Sequence, residues 1–104
     1  MQVQINSENN IKISQEQIAA FQGMISDALE HYSDRLMWAE AHLSDENGNK
    51  NGPNDKRCLL EVRPKGLQPV VASNTASTLE EAISGAADKL RQSLAGIKGR
   101  QENH

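Results

Sequence analysis

Residues 2–6 alternate, with Val3 and Ile5 on one face and Gln2, Gln4 and Asn6 on the other, which predicts a short half-buried strand. Ser7 to Asn10 is a polar turn. Apolar residues then recur at 18, 21, 25, 28, 29 and 32, one face of a helix that ends near His31. Its start is written in Ser14-Gln15-Glu16-Gln17, a capping box in which hydroxyl and amide side chains satisfy each other's backbone N–H groups. Ile13 and Ile18 stand at the positions of a hydrophobic staple across that cap. Gly23 weakens the helix by roughly 1 kcal/mol relative to Ala.

From Leu36 to Ser44 the period changes to two. Ala39, Ala41 and Leu43 point one way; Trp38, Glu40, His42 and Ser44 point the other. Asp45 to Asp55 is rich in Asn and Gly with one Pro, and predicts a long, mobile hairpin loop. A third strand follows, with Cys58, Leu60 and Val62 inward and Arg57, Leu59, Glu61 and Arg63 outward. After the turn Pro64-Lys65-Gly66, a fourth strand at about 68–75 turns Val70 and Ala72 inward. Pro69 cannot donate to a ladder, so this strand belongs on a sheet edge. Thr78-Leu79-Glu80-Glu81 is a second capping box. Leu79, Ala82, Ile83, Ala86, Ala87, Leu90, Leu94 and Ile97 form a helical stripe to about Lys98, where Gly85 permits close packing. Gly99 to His104 is polar and predicts a frayed tail.

The order is β-α-β-β-β-α in one domain with a core at about 2–98. Each strand has one apolar face and each helix one apolar stripe. The economical solution is an α+β fold: one four-stranded sheet with two helices packed on one face, the other face open to solvent or a partner.

Composition sharpens this. Only 37% of residues are hydrophobic and mean hydropathy is −0.66; Phe21, Tyr32 and Trp38 are the whole aromatic set, so aliphatic residues and alanines must fill the core. No apolar run approaches the ~20 residues that span a bilayer, the N-terminus lacks a secretory signal pattern, and a lone Cys58 makes no internal disulfide. These features place the expectation in the cytoplasm, with no membrane and no small-molecule substrate. Charge is uneven. Residues 1–55 hold three basic residues against nine acidic, a balance of −6, whereas 56–104 hold eight against five, a balance of +3. Such asymmetry suits a molecule with one nucleic-acid-facing side, or a mixed solvated surface.

Candidate chemistry is sparse. Glu40 and His42 share a strand face and His31 can be imagined near them, but a metal site needs three or four convergent ligands, so no metal site is expected. Cys58 reads as a small core residue with no activating base. Glu80 and Glu81 suit the first turn of a helix, where carboxylates favour the dipole. Gly48-Asn-Lys-Asn-Gly52 lacks the Lys-Ser/Thr and helix of a phosphate loop. Trp38, His42, Arg57 and Arg63 could form an RNA platform on the open face. One aromatic is too few for base stacking, and Trp38 reads as cover for the sheet end. No catalytic constellation and no cofactor site emerges.

The element order, together with Leu79-Glu-Glu-Ala-Ile-Ser-Gly-Ala-Ala-Asp-Lys-Leu-Arg-Gln-Ser-Leu94, resembles the ribosome hibernation-promoting factor and ribosome-associated inhibitor family, also called the sigma-factor modulation family. The resemblance lies in Ala82, Ile83, Asp88, Lys89, Leu90 and Leu94 of the last helix, and in Tyr32-Ser-Asp-Arg-Leu36 at the first helix–strand junction. It implies a short, single-domain, non-enzymatic protein that binds the small ribosomal subunit in the channel of messenger and transfer RNA and silences translation under stress. By position, the residues implied to meet ribosomal RNA phosphates are Lys56, Arg57, Arg63, Lys65, Lys89 and Arg91, with Lys98 and Arg100 continuing the run. Counterion release drives such contacts without base reading. The chain departs from the family in its first helix: residues 15–31 carry Glu16, Asp27 and Glu30 and no basic residue. That feature favours the alternative expectation, a diverged module of the same fold that binds a protein partner or itself as a homodimer.

Overall fold

A computed structural model describes residues 1–8, 11–46 and 56–102, with side chains as far as Ile97. The chain runs β1 (Gln2–Ser7), α1 (Gln15–Ala28), a 3-10 helix (Glu30–Arg35), β2 (Leu36–Asp45), β3 (Lys56–Pro64), β4 (Val70–Ala76) and α2 (Leu79–Glu102). The sheet order is β1-β2-β3-β4, parallel between β1 and β2 and antiparallel thereafter. A parallel pair cannot be joined by a hairpin, and α1 supplies the crossover. The fold class is the one the periodicities predict.

The helices form one layer. Helix α1 packs on β1 and α2, while α2 covers β3 and β4. Between layers lie Phe21, Ile25 and Leu29 from α1 and its end, Ala39, Ala41 and Leu43 from β2, Cys58, Leu60 and Val62 from β3, and Ala82, Ile83, Ala86, Ala87, Leu90 and Leu94 from α2. The β2 and β3 contributions fall at every second residue because a pleated strand sends successive side chains to opposite faces. Alanine on α2 brings its backbone close to the sheet. At Gly85 the approach is closest: an added Cβ would lie 2.1 Å from Asn74 Nδ2. The Asn74 side-chain amide donates to the Glu81 carbonyl at 3.3 Å, tying β4 to the first turn of α2.

Four local expectations change. Helix α1 ends at Ala28, and its apolar stripe continues through Leu29 and Tyr32 in the tighter 3-10 geometry. Strand β2 is bulged: Leu36 pairs with Pro64 and Trp38 with Arg63, so Met37 is the extra residue and projects to solvent. The bulge reverses the phase, burying Leu36 on the same side as Ala39. Strand β4 runs Val70–Ala76 instead of about 68–75, starting after Pro69, and keeps the sheet-edge position that Pro69 implied. Helix α2 extends to Glu102, beyond the expected end near Lys98 and into the segment read as frayed. Of the predicted loop at 45–55, Asp45 closes β2, and residues 47–55 lie outside those described.

The first capping box is complete: the Gln17 amide donates to Ser14 Oγ at 3.1 Å and the Ser14 amide to Gln17 Oε1 at 3.0 Å. The second is half made. The Glu81 amide donates to Thr78 Oγ1 at 3.1 Å, but the Glu81 carboxylate accepts from the Ser77 hydroxyl at 3.0 Å instead of reaching the Thr78 amide.

Candidate nucleic-acid interface

The sheet face away from the helices is open, and register fixes its layout. Trp38 of β2 faces Gln2 on one side and Arg63 on the other. The next rows are Gln4, Glu40, Glu61 and Val71, then Asn6, His42, Leu59 and Ser73, then Ser44, Arg57 and Thr75. Arg57 and Arg63 therefore share this face but stand six residues apart, about 20 Å along the strand.

The other candidates lie elsewhere. Lys56 has the inward phase of β3 at its beginning and bonds Asp45 Oδ2 at 3.2 Å. Lys65 is exposed in the turn after β3. Lys89 reaches over β4, where its Nζ donates to the Ser73 carbonyl at 3.0 Å. Arg91, two residues on and so on another side of α2, lines a depression with Met24, Asp27 and Ala28 of α1 and pairs with Asp88. The side chains of Lys98 and Arg100 lie outside those described. The described candidates thus do not converge on one surface.

Their electrostatic states differ as well. Lys56 and Arg91 are ion-paired, and Arg57 lies 3.6 Å from Glu46. Arg63 and Lys65 have no ion-pair partner among the described residues. Sequence reasoning missed a third cation that joins them, Arg35. The Lys65 amide donates to the Arg35 carbonyl at 2.9 Å, and the next pair along is Leu36–Pro64. Arg35, Arg63 and Lys65 therefore gather at one corner, where β2 begins and β3 ends, beside Trp38. Arg35 stood within the Tyr32–Leu36 junction; only the strand register could connect it to residues nearly thirty positions later.

Two further expectations are revised. His31 does not approach Glu40 and His42; it stacks edge-on against Tyr32, ring centroids 5.4 Å apart, on the helix side. Glu61 approaches them instead. The ligand atoms of Glu40, His42 and Glu61 lie within 4.8 Å of one another, three convergent groups where the sequence offered two. Cys58 is fully buried, and burial pushes its thiol up to about 12, partly offset by the Arg57 charge. A thiol so placed is not ionised at neutral pH and is no nucleophile.

The profile of the sigma 54 modulation protein / S30EA ribosomal protein family matches residues 3–102. The chain belongs to this family. Ribosome binding and translation regulation fit that membership. The fold is similar to a crystal structure of the Protein Y N-terminal domain of Thermus thermophilus, at TM-score 0.71 and 21% identity, covering 93% of this chain and 99% of that one. A ribosomal subunit interface protein from Coxiella burnetii is similar at TM-score 0.71 and 16% identity, covering 95% and 99%. No curated protein matches significantly in sequence. Among the described residues no helix is long and apolar enough to cross a membrane.

Proposed function

We propose that this family member is a ribosome-associated translation inhibitor of the hibernation type, acting in the cytoplasm by occupying ribosomal RNA surface on the small subunit, without catalysis. The match over residues 3–102 carries the reading. The charge geometry adds where contact falls. Lys56, Arg57 and Arg91 already have carboxylate neighbours, so phosphate must compete for them. Arg35, Arg63 and Lys65 surrender no ion pair to any described residue, and this corner is the primary contact, with Lys89 and the run to Lys98 and Arg100 as a secondary flank. Trp38 beside Arg63 offers an apolar surface against which sugar or base can pack.

The experiment is cosedimentation with purified small subunits across a salt series. Pelleting that declines steeply from low to moderate salt supports phosphate contacts, since each neutralised phosphate steepens the salt dependence. Absence of pelleting at low salt overturns the proposal. A second reading, a protein-binding module, is favoured by α1, whose first turn carries Glu16 and whose last turn has no basic residue. Absence of pelleting even at low salt, with the fold intact, is its expected outcome.

A further inference from the structure

The geometry points to a divalent transition-metal site of the zinc class on the open sheet face, formed by Glu40 and His42 of β2 and Glu61 of β3. The three side chains are half-buried and sit on adjacent paired strands, which fix their spacing better than loops would. Glu40 and Glu61 are direct cross-strand partners. Like charges in that position repel, so the pair is unfavourable without a cation between them. Among the described residues no Lys or Arg pairs with either carboxylate, and His42 is the one basic group beside them. Arg63, two residues from Glu61 on the same face, makes no ion pair with it, and Glu61 has no hydrogen-bond or ion-pair partner among the described residues. His42 Nε2 meets Glu40 Oε1 at 2.6 Å, so the imidazole already aims its ligating nitrogen at the carboxylates.

The donor set has a chemical preference. One imidazole and two carboxylates suit Zn²⁺ better than Mg²⁺ or Ca²⁺, which favour all-oxygen shells. Three protein ligands leave one tetrahedral position for water or an outside oxygen. Bonds of about 2.0–2.2 Å place ligand atoms roughly 3.4 Å apart, within reach of the present separations by side-chain rotation. On binding, the metal replaces the hydrogen bond between His42 Nε2 and Glu40 Oε1, and the neutral imidazole ligates through Nε2 with its hydrogen on Nδ1. A dication also cancels the two carboxylate charges at the centre of a face that holds Arg57 and Arg63 at its ends.

The test uses free protein without ribosomes, so its outcome is independent of the proposed ribosome contact. Zinc chloride is titrated by calorimetry into the full chain at pH 7.5 and then into His42→Ala, Glu61→Gln and His31→Ala. The expected result is one ion per chain, an affinity lowered at least about tenfold in His42→Ala and Glu61→Gln, and no change in His31→Ala. Cobalt absorption in the visible, present in wild type and lost in His42→Ala, reports the same site. A thermal scan supplies a second criterion: Glu61→Gln should melt higher than wild type in metal chelator and lower in saturating zinc. Equal zinc affinity in wild type and His42→Ala, or no reversal of the melting order, overturns the assignment.

Discussion

Glycine 85 provides a sharp test of how closely α2 lies on the sheet. Replacing glycine by alanine inside a helix ordinarily stabilises by roughly 1 kcal/mol. At Gly85 the new Cβ would stand 2.1 Å from Asn74 Nδ2 and 2.5 Å from its Cγ, so the whole amide must move. Moving it breaks the bond to the Glu81 carbonyl, worth roughly 0.5–1.5 kcal/mol. Overpacking adds about 1–3 kcal/mol. The unfavourable effects exceed the helical gain, and Gly85→Ala should destabilise by about 0.5–3.5 kcal/mol, lowering Tm by roughly 4–8 °C for each kcal/mol. Because the three nearest atoms all belong to Asn74, the sign should reverse in an Asn74→Ala background, where Gly85→Ala gains up to about 1 kcal/mol. Gly23 on α1 is the control: nothing lies within 4 Å of the position its new methyl group would take, and Gly23→Ala should stabilise in either background. Urea denaturation of the four variants forming the Asn74/Gly85 cycle measures the coupling. If Gly85→Ala stabilises as Gly23→Ala does, with no coupling to Asn74, the close approach is refuted.

Three other outcomes follow from single residues. Leu60 is fully buried at the centre of the sheet, and Leu60→Ala should cost about 2–5 kcal/mol in urea denaturation. Ser14→Ala removes both the hydroxyl acceptor and the fixed geometry of the α1 cap and should cost about 1 kcal/mol by the same measurement. Cys58 has its folded pKa raised by burial from 9.0 to about 12, so the folded state holds the thiol proton more tightly than the unfolded state. Its contribution is therefore full below pH 9 and is lost as pH rises toward 12, with a slope of up to about 1.4 kcal/mol per pH unit. Stability curves of wild type and Cys58→Ala should converge over that window; curves that stay parallel would refute the buried thiol.

The strands and helices were legible because periodicity reports which face is buried. Val3 and Ile5, Ala39 to Leu43, and Cys58 to Val62 took the sides their alternation assigned. The bulge at Met37 was hidden because one unpaired residue only shifts phase, and a single Leu36 cannot announce that shift. The end of α1 was misplaced because a 3-10 turn continues an apolar stripe without a break in composition. Candidate cations were legible as residue types, but their distribution was not. Whether Lys56 meets Asp45, whether Arg91 faces α1, and whether Arg35 joins Lys65 depend on register and helix rotation. Glu61 illustrates the same gap: its outward phase was evident, yet its position opposite Glu40 required the β2–β3 pairing.

The most direct test of the central claim compares two cation pairs in cosedimentation with small ribosomal subunits at low salt. One variant is Arg63→Ala with Lys65→Ala, at the corner without described ion pairs; the other is Lys56→Ala with Arg57→Ala, whose cations have carboxylate neighbours. The account predicts that the corner variant loses most binding and shows a shallower salt dependence, while the second retains binding close to wild type. Equal pelleting of the corner variant and wild type would contradict it.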